Sequence, residues 1–178
     1  MNKKEIKKLV AERLSQGTGK QAVFDELRGG ALSDYRLAYQ VAAYPNPERI
    51  RDYRWRIKIL IVIGALQTAL AFLIGWGIGA PSGNGLALPA ACLTALLPAI
   101  IAFGFYRNSV GAYNAFILLS IIQLPRQFLE LGETGFSGVL GIIVSIALVS
   151  YVLHLRYRLF PDFIAFTPQK KNRQYAFV

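Results

Sequence analysis

The sequence predicts an all-α polytopic membrane protein with four transmembrane helices and a small N-terminal helical module in the cytoplasm. Two observations lead to this fold class. Apolar residues are concentrated after residue 58, in runs close to the roughly 20 residues that a helix needs to cross a bilayer. Lys and Arg are concentrated outside those runs. We therefore divide the chain into a three-helix module at 1–45, a basic juxtamembrane helix at 46–58, a four-helix transmembrane bundle at 59–155 and an aromatic, basic cytoplasmic tail at 156–178.

The N-terminal module is predicted to contain three short amphipathic helices, because apolar residues recur three or four positions apart in each. Gly17 and Gly29 offer stops for the first two helices. Thr18 and Gln21 fit a capping box at the start of the second helix, and Ser33 can cap the third. The residues expected to face inward are Ile6, Leu9, Val10, Leu14, Val23, Phe24, Leu27, Leu37, Ala38, Val41 and Ala42. Such a module either packs only on itself and the membrane or docks a cytosolic protein through residues 1–44.

A basic and aromatic segment joins the module to the first apolar run. Asn46 is expected to cap a helix that starts at Pro47 and continues without a break to Gly79. The cationic residues in its first part cannot all lie on one helical face, so we interpret this part as a collar at the depth of the lipid headgroups. The collar consists of Arg49, Arg51, Arg54, Trp55, Arg56 and Lys58. The plainer alternative is a topology signal that binds no specific lipid or protein.

Four apolar segments are predicted to cross the membrane. Pro89 and Pro98 predict a kink in the second segment, and the third reaches full length only if it continues through a kinked, interfacial end. The segments are 59–79, 86–106, 110–124 with an extension to 131, and, after a glycine turn at 132–135, 136–155. In the tail we expect an interfacial aromatic part and then a solvated end, formed by Phe160, Phe163, Ile164 and Phe166 and by residues 170–173.

The distribution of positive charge predicts the orientation. Basic residues precede the first span, separate the second from the third, and follow the fourth. The positive-inside rule assigns such segments to the cytoplasm. Both termini are therefore expected to be cytoplasmic, in an integral protein of the bacterial inner membrane. The start of the chain does not have the pattern of a cleaved secretory signal.

Composition argues against several kinds of active site. Cys92 is the only cysteine and His154 the only histidine, so one chain offers neither an intramolecular disulfide nor a His-based catalytic pair or zinc site. The Gly-Thr-Gly-Lys segment at 17–20 lacks the other residues of a phosphate-binding Walker loop. We expect no catalytic residue, no metal and no cofactor. Much of the net charge of +10 lies next to apolar spans, so nucleic acid is not an expected partner.

Polar and small residues within the spans are the remaining signals. No Asp or Glu lies inside a span, which argues against proton-coupled or cation-coupled transport. The polar residues Gln67, Asn114, Gln123 and His154 are expected to form hydrogen bonds between helices, or to line a pathway or a lipid-headgroup pocket. Small residues recur every fourth position and permit close helix contact, either within the bundle or between copies. They are Ala71, Gly75 and Gly79 on the first span and Ala87, Ala91, Ala95 and Ala99 on the second.

These features lead us to expect a non-enzymatic membrane interaction protein, that is, an adaptor, a regulator or an immunity-type inhibitor. It would contact membrane lipids and would bind another membrane protein, or a second copy of itself, through its helices. In plan, the chain resembles small bacterial inner-membrane proteins, among them immunity proteins that neutralise pore-forming toxins. The alternative is a small oligomeric channel or carrier with a polar path along Asn114, Gln123, Ser145 and Ser150.

Overall fold

The computed structural model describes residues 3–83, 85–171 and 174–177. The chain is mostly helical, as predicted, but its tail forms strands. The helices are α1 (Lys3–Ser15), α2 (Lys20–Leu27), α3 (Asp34–Ala42), α4 (Pro47–Asp52), α5 (Arg54–Gly79), α6 (Ala87–Tyr106), α7 (Val110–Leu129) and α8 (Leu131–Leu159). The strands are β1 (Phe163–Ile164), β2 (Thr167–Pro168), β3 (Lys170–Lys171) and β4 (Gln174–Tyr175).

The described residues form two compact units. The first, which we call the terminal unit, contains residues 3–51 together with 156–171 and 174–177. Both ends of the chain therefore belong to one folded unit. The second, which we call the membrane unit, contains residues 52–83 and 85–155.

The core of the terminal unit is formed by the apolar faces of α1, α2 and α3. Gly17 and Gly29 follow α1 and α2 with φ angles of 86° and 77°, a conformation that glycine adopts without strain and that commonly ends a helix. Both predicted stops are thus confirmed. The core cluster contains Ile6, Val10, Val23, Phe24, Leu37, Ala38 and Val41.

The tail completes this core and does not extend into solvent or lipid as a separate segment. β1 and β2 form one antiparallel hairpin, and β3 and β4 form another. Phe160 and Phe163 are buried, so the prediction that they lie at the membrane interface is wrong, whereas Ile164 and Phe166 are exposed. A module of three short helices buries little apolar surface alone, and the tail aromatics supply more. At the predicted solvated end Lys170 and Lys171 are exposed, while residues 172 and 173 lie outside the described part of the chain.

The predicted cap of α2 is wrong, whereas the predicted cap of α4 is confirmed. The capping box of Thr18 and Gln21 is wrong, because α2 begins at Lys20 with Gly19 before it and no side chain caps it. Gln21 instead donates to the carboxylate of Asp25, one turn further along. At α4 the prediction is confirmed, since the Asn46 side-chain oxygen accepts a hydrogen bond of 2.9 Å from the Glu48 amide and the helix starts at Pro47.

The predicted uninterrupted helix from residue 46 to residue 79 is divided in two. Tyr53 adopts φ −98° and ψ 11°, outside the helical region, so α4 ends at Asp52 and α5 starts at Arg54. Neither proline nor glycine stands at this position, and the local sequence therefore contains no signal for the break. The prediction of one rigid helix from the module into the membrane is wrong for this reason.

Three helices of the described chain are long and apolar enough to cross a membrane, which indicates an integral membrane protein. They cover Arg54–Gly79, Ala87–Tyr106 and Gly135–Leu159. The last begins where Gly135, with φ 56° and ψ −133°, interrupts α8 within the predicted glycine turn. The third predicted span forms a continuous helix, α7, but is less apolar than the others, and its crossing stays a prediction.

Candidate functional site

The contact between α5 and α6 depends on glycine. A Cβ atom built on Gly75 would lie 2.7 Å from the carbonyl oxygen of Ala90 and 2.8 Å from the Cα of Ala91. A Cβ atom on Gly79 would lie 2.7 Å from the Cα of Ala87. Real Cβ atoms do not approach backbone atoms this closely, so only glycine permits the observed separation of the two helices.

A hydrogen bond reinforces this contact. The hydroxyl of Thr94 on α6 lies 2.9 Å from the carbonyl oxygen of Ala71 on α5. Ala91 and Ala95 are buried, whereas Ala87 and Ala99 are partly buried. The predicted stripes of small residues thus include the positions at which the two helix backbones approach each other.

Side chains of α5, α6, α7 and α8 line a cavity of about 280 Å³. Part of its wall is apolar and includes Leu97, Ile101, Phe116 and Leu148. The rest is polar but carries no ionisable group. The polar lining residues are Gln67 on α5, Ser120, Gln123 and Gln127 on α7, and Ser145 on α8.

Residues of α7 that line the cavity share one face of that helix. Phe116, Ser120, Gln123 and Gln127 are spaced by four, three and four positions, and all four line the cavity. These polar side chains lower the apolarity of α7, and among them Gln123 is exposed whereas Ser120 and Gln127 are partly buried. The side-chain oxygen of Gln127 is buried and has no hydrogen-bond partner within the described part of the chain.

The residues predicted as a polar path are only partly brought together. Gln123 and Ser145 line the cavity, whereas Asn114 and Ser150 do not. Gln67, which the sequence also singled out, joins the first two. The predicted polar path did not include Ser120 and Gln127, although both stand at helical spacing from Gln123 and that spacing was a usable signal.

The fourth predicted polar residue, His154, lies elsewhere, near the start of α5. Its Nε2 atom is 3.4 Å from a guanidinium nitrogen of Arg56. The Tyr151 hydroxyl, one turn earlier on α8, donates a hydrogen bond of 3.0 Å to the Arg56 carbonyl. These contacts join the ends of α5 and α8 within the membrane unit.

The residues of the predicted collar are largely exposed. Trp55 is 75% exposed, and the Lys58 ammonium group lies 4.9 Å from the centre of its ring. Arg51, Arg54, Arg56 and Lys58 are exposed as well. Arg49 differs, since its guanidinium group donates to the Arg158 carbonyl at 3.0 Å within the terminal unit. Exposed cations beside an exposed indole suit the headgroup region of a bilayer.

Two buried charged residues of the terminal unit were not predicted. Arg156 is 1% exposed, donates to the Ala165 carbonyl, and lies over the rings of Phe163 and Phe166 at 5.8 and 5.7 Å. Asp162 is fully buried.

Asp162 forms an ion pair with Lys20 on α2, at 2.6 Å. The partners are 142 residues apart in the chain, so no local pattern marks the pair. The pair joins the tail to the N-terminal helices.

No group of three or more His, Cys, Asp or Glu side chains that could hold a metal ion exists among the described residues. No protein-family model matches this chain, and no curated protein or solved structure matches it significantly. We therefore infer function from the fold and from the chemistry of the sites described above.

Proposed function

We propose that this protein is a non-enzymatic integral membrane protein that acts by binding another membrane protein, as an adaptor, a regulator or an immunity-type inhibitor. The observation that carries the proposal is the terminal unit, a compact polar unit built from both ends of one membrane chain. This unit exposes many charged side chains, including Lys7, Lys8, Glu12, Asp25, Glu26 and Arg28. A folded polar unit joined to apolar helices suits a protein that contacts partners both in and beside the membrane.

The same observation supports four crossings. A unit held together by a core and a buried ion pair cannot be divided by a bilayer, so the two ends of the chain lie on one side. The chain between them must then cross an even number of times. With α5, α6 and α8 as spans, α7 is the required fourth, and its 20 residues extend about 30 Å, close to the thickness of the hydrocarbon core. The basic residues beside the spans support a cytoplasmic position of both termini, and we place the protein in a bacterial inner membrane.

Thiol labelling tests this topology. In a Cys92→Ser background, single cysteines at Gly132, and at Asn84 outside the described residues, are expected to react with a membrane-impermeant maleimide in intact cells. Ser109→Cys, in the exposed turn between α6 and α7, is expected to react only after permeabilisation. Labelling of Ser109→Cys in intact cells, or protection of Gly132→Cys there, would contradict four crossings.

The face of α8 around Gly141 is a part of the membrane unit that suits a partner helix. A Cβ atom on Gly141 would meet no heavy atom within 4 Å, in contrast to the tightly packed Gly75. The neighbouring apolar side chains Leu140 and Val144 are 52% and 57% exposed. A small residue between exposed apolar side chains lets a second helix approach closely.

We expect a photoreactive residue in place of Val144 to form one discrete protein adduct in cells. Gly141→Leu should remove most of this adduct by covering the small-residue surface, without a clash inside the chain. Gly77→Leu on α5 is the matched control, because a Cβ atom there also meets no heavy atom within 4 Å. Two results would count against a partner at this face: adducts with lipid only, or an equal reduction of the protein adduct in Gly141→Leu and Gly77→Leu.

The cavity favours a second candidate function, a small oligomeric channel or carrier. Gln67, Gln123 and Ser145 give the cavity polar walls, and a channel or carrier needs such a polar path through the bundle. Solute flux into liposomes that contain only this protein, together with homo-oligomeric crosslinks, would support this function over the adaptor. A heterologous adduct without flux would support the adaptor.

A further inference from the structure

We propose that the cavity between α5, α6, α7 and α8 binds an uncharged, lipid-soluble molecule that carries carbonyl or hydroxyl oxygens on an apolar body. This inference does not depend on a protein partner, and it assigns the cavity a ligand of definite chemistry. It depends on the depth of the cavity, on the state of its polar side chains, and on its lack of charge.

The cavity lies near the middle of three of its four helices, whereas on α7 (Val110–Leu129) its lining extends from Phe116 to Gln127, close to the end of that helix. Gln67 is near the centre of α5 (Arg54–Gly79), Pro98 is near the centre of α6 (Ala87–Tyr106), and Ser145 is near the centre of the span Gly135–Leu159. A site at this depth is surrounded by hydrocarbon when the helices span a bilayer. Molecules dissolved in the bilayer therefore reach it more readily than solutes in water.

The polar side chains of the cavity have no partners of their own. Within the described part of the chain, neither the amides of Gln67, Gln123 and Gln127 nor the hydroxyls of Ser120 and Ser145 take part in a side-chain hydrogen bond. A hydrogen-bonding group left unpaired in hydrocarbon is costly, and membrane proteins normally satisfy such groups. Gln67 and Gln123 are exposed and Ser120, Gln127 and Ser145 are partly buried, and a molecule bound in the cavity would satisfy these groups.

The absence of ionisable side chains from the lining favours an uncharged ligand. Charged groups are strongly disfavoured in a low-dielectric site without a partner charge. Glu130 lines a groove beside the cavity, but its carboxylate pairs with Arg126 at 2.7 Å and is thereby neutralised. Anionic or cationic lipid headgroups thus find no compensating charge in the cavity.

The kinds of polar group indicate the ligand chemistry. A Gln amide both donates and accepts hydrogen bonds, and a Ser hydroxyl does the same, so they suit ester or ketone carbonyls and free hydroxyls. Leu97, Ile101, Phe116 and Leu148 provide the apolar wall for the rest of the molecule. The volume of about 280 Å³ is close to the lower end of small-molecule sites. Both the glycerol ester region of a neutral lipid and the ring of a membrane quinone have this chemistry.

Photolabelling of the full chain in lipid nanodiscs tests the proposal. One probe is a diacylglycerol with a diazirine on its acyl chain, and the charged control is phosphatidic acid with the same acyl chains. We expect the diacylglycerol probe to label peptides of α5, α7 and α8 that line the cavity, and the phosphatidic acid probe to label them much less. Competition with unlabelled diacylglycerol or with decyl-benzoquinone then shows whether the cavity prefers a neutral lipid or a quinone.

Substitutions of lining residues test whether the labelled site is the cavity. Gln67→Leu and Gln123→Leu each remove an amide at similar volume, and each is expected to weaken competition by roughly threefold to fivefold, the value of about one hydrogen bond. Both substitutions make a membrane helix more apolar, so they should not prevent insertion. Ser145→Ala should weaken competition, whereas Ser150→Ala, on the same helix but outside the lining, should not.

Three results would overturn the proposal. The first is equal cavity labelling by the charged probe. The second is labelling that neither unlabelled neutral compound reduces or that Gln67→Leu and Gln123→Leu leave unchanged. The third is rapid reaction of Ser145→Cys, in a Cys92→Ser background, with a membrane-impermeant thiol reagent, since this result would mean that the cavity is a water-filled passage.

Discussion

Asp162→Ala is expected to destabilise the terminal unit by about 3–5 kcal/mol, the usual cost of removing one partner from a buried ion pair. The Asp162 carboxylate is fully buried and the Lys20 side chain is only 13% exposed. Removing the carboxylate therefore leaves an ammonium group with little access to water. Because the pair joins the tail to α2, we expect the tail to separate from the N-terminal helices.

Limited proteolysis of the full chain in detergent micelles measures this effect. In the variant, trypsin should cleave the tail and the α1–α3 region at lower temperature than in the unsubstituted protein, while the membrane helices stay intact. Asp34→Ala is the matched control, because the pair of Arg28 and Asp34 at 3.2 Å is about half exposed on both sides. Such a pair contributes at most about 1 kcal/mol.

A double variant separates the ion pair from general disruption. Lys20→Met with Asp162→Leu replaces both charges by apolar side chains and should recover much of the lost stability, because no charge stays buried without a partner. Equal protease sensitivity of Asp162→Ala and Asp34→Ala would contradict the assigned role of the pair.

Local patterns were sufficient for much of the helical structure. The cap at Asn46, the start at Pro47 and the glycine stops at Gly17 and Gly29 involve residues within a few positions of each other, and all four are present. Three of the four predicted spans correspond to helices of sufficient length and apolarity, because these properties are read directly from composition along the chain.

The tail could not be predicted in this way. Its strands contain two residues each, too few to show the alternation of polar and apolar residues that identifies a strand. Phe160 and Phe163 follow an apolar span, and aromatic residues at that position usually lie at the membrane interface. Their burial depends on contacts between the two ends of the chain, such as the ring of Phe163 at 5.2 Å from that of Tyr39. A single sequence contains no signal for such distant pairs.

The sequence identified polar residues that line the cavity but did not predict that they lie together. Gln67, Gln123 and Ser145 were recognised as polar residues in apolar spans, yet their convergence depends on how four helices pack. The polar residues Gln123 and Gln127, together with Asn114 and Arg126 outside the lining, lower the hydropathy of α7, and its crossing stays a prediction.

The contact between α5 and α6 should respond very differently to two substitutions that are two residues apart. A methyl group on Gly75 must displace backbone atoms of α6, the Ala90 carbonyl oxygen at 2.7 Å and the Ala91 Cα at 2.8 Å. Overpacking of this kind costs about 1–3 kcal/mol, since the helices can relieve it only by moving apart. A methyl group on Gly77 meets no heavy atom within 4 Å.

We therefore expect Gly75→Ala to lower the thermal unfolding temperature of the full chain in detergent. Gly77→Ala should leave it unchanged or raise it, because alanine favours a helix by up to about 1 kcal/mol over glycine. Gly75→Leu should enlarge the first effect, whereas Gly77→Leu, directed away from α6, should not. Both glycines lie on the same helix, so differences in insertion or in helix propensity cannot produce the contrast. If the two alanine variants unfold at the same temperature, the close approach of α5 and α6 does not determine the stability of the membrane unit, and the small-residue stripe would instead serve contacts with another chain.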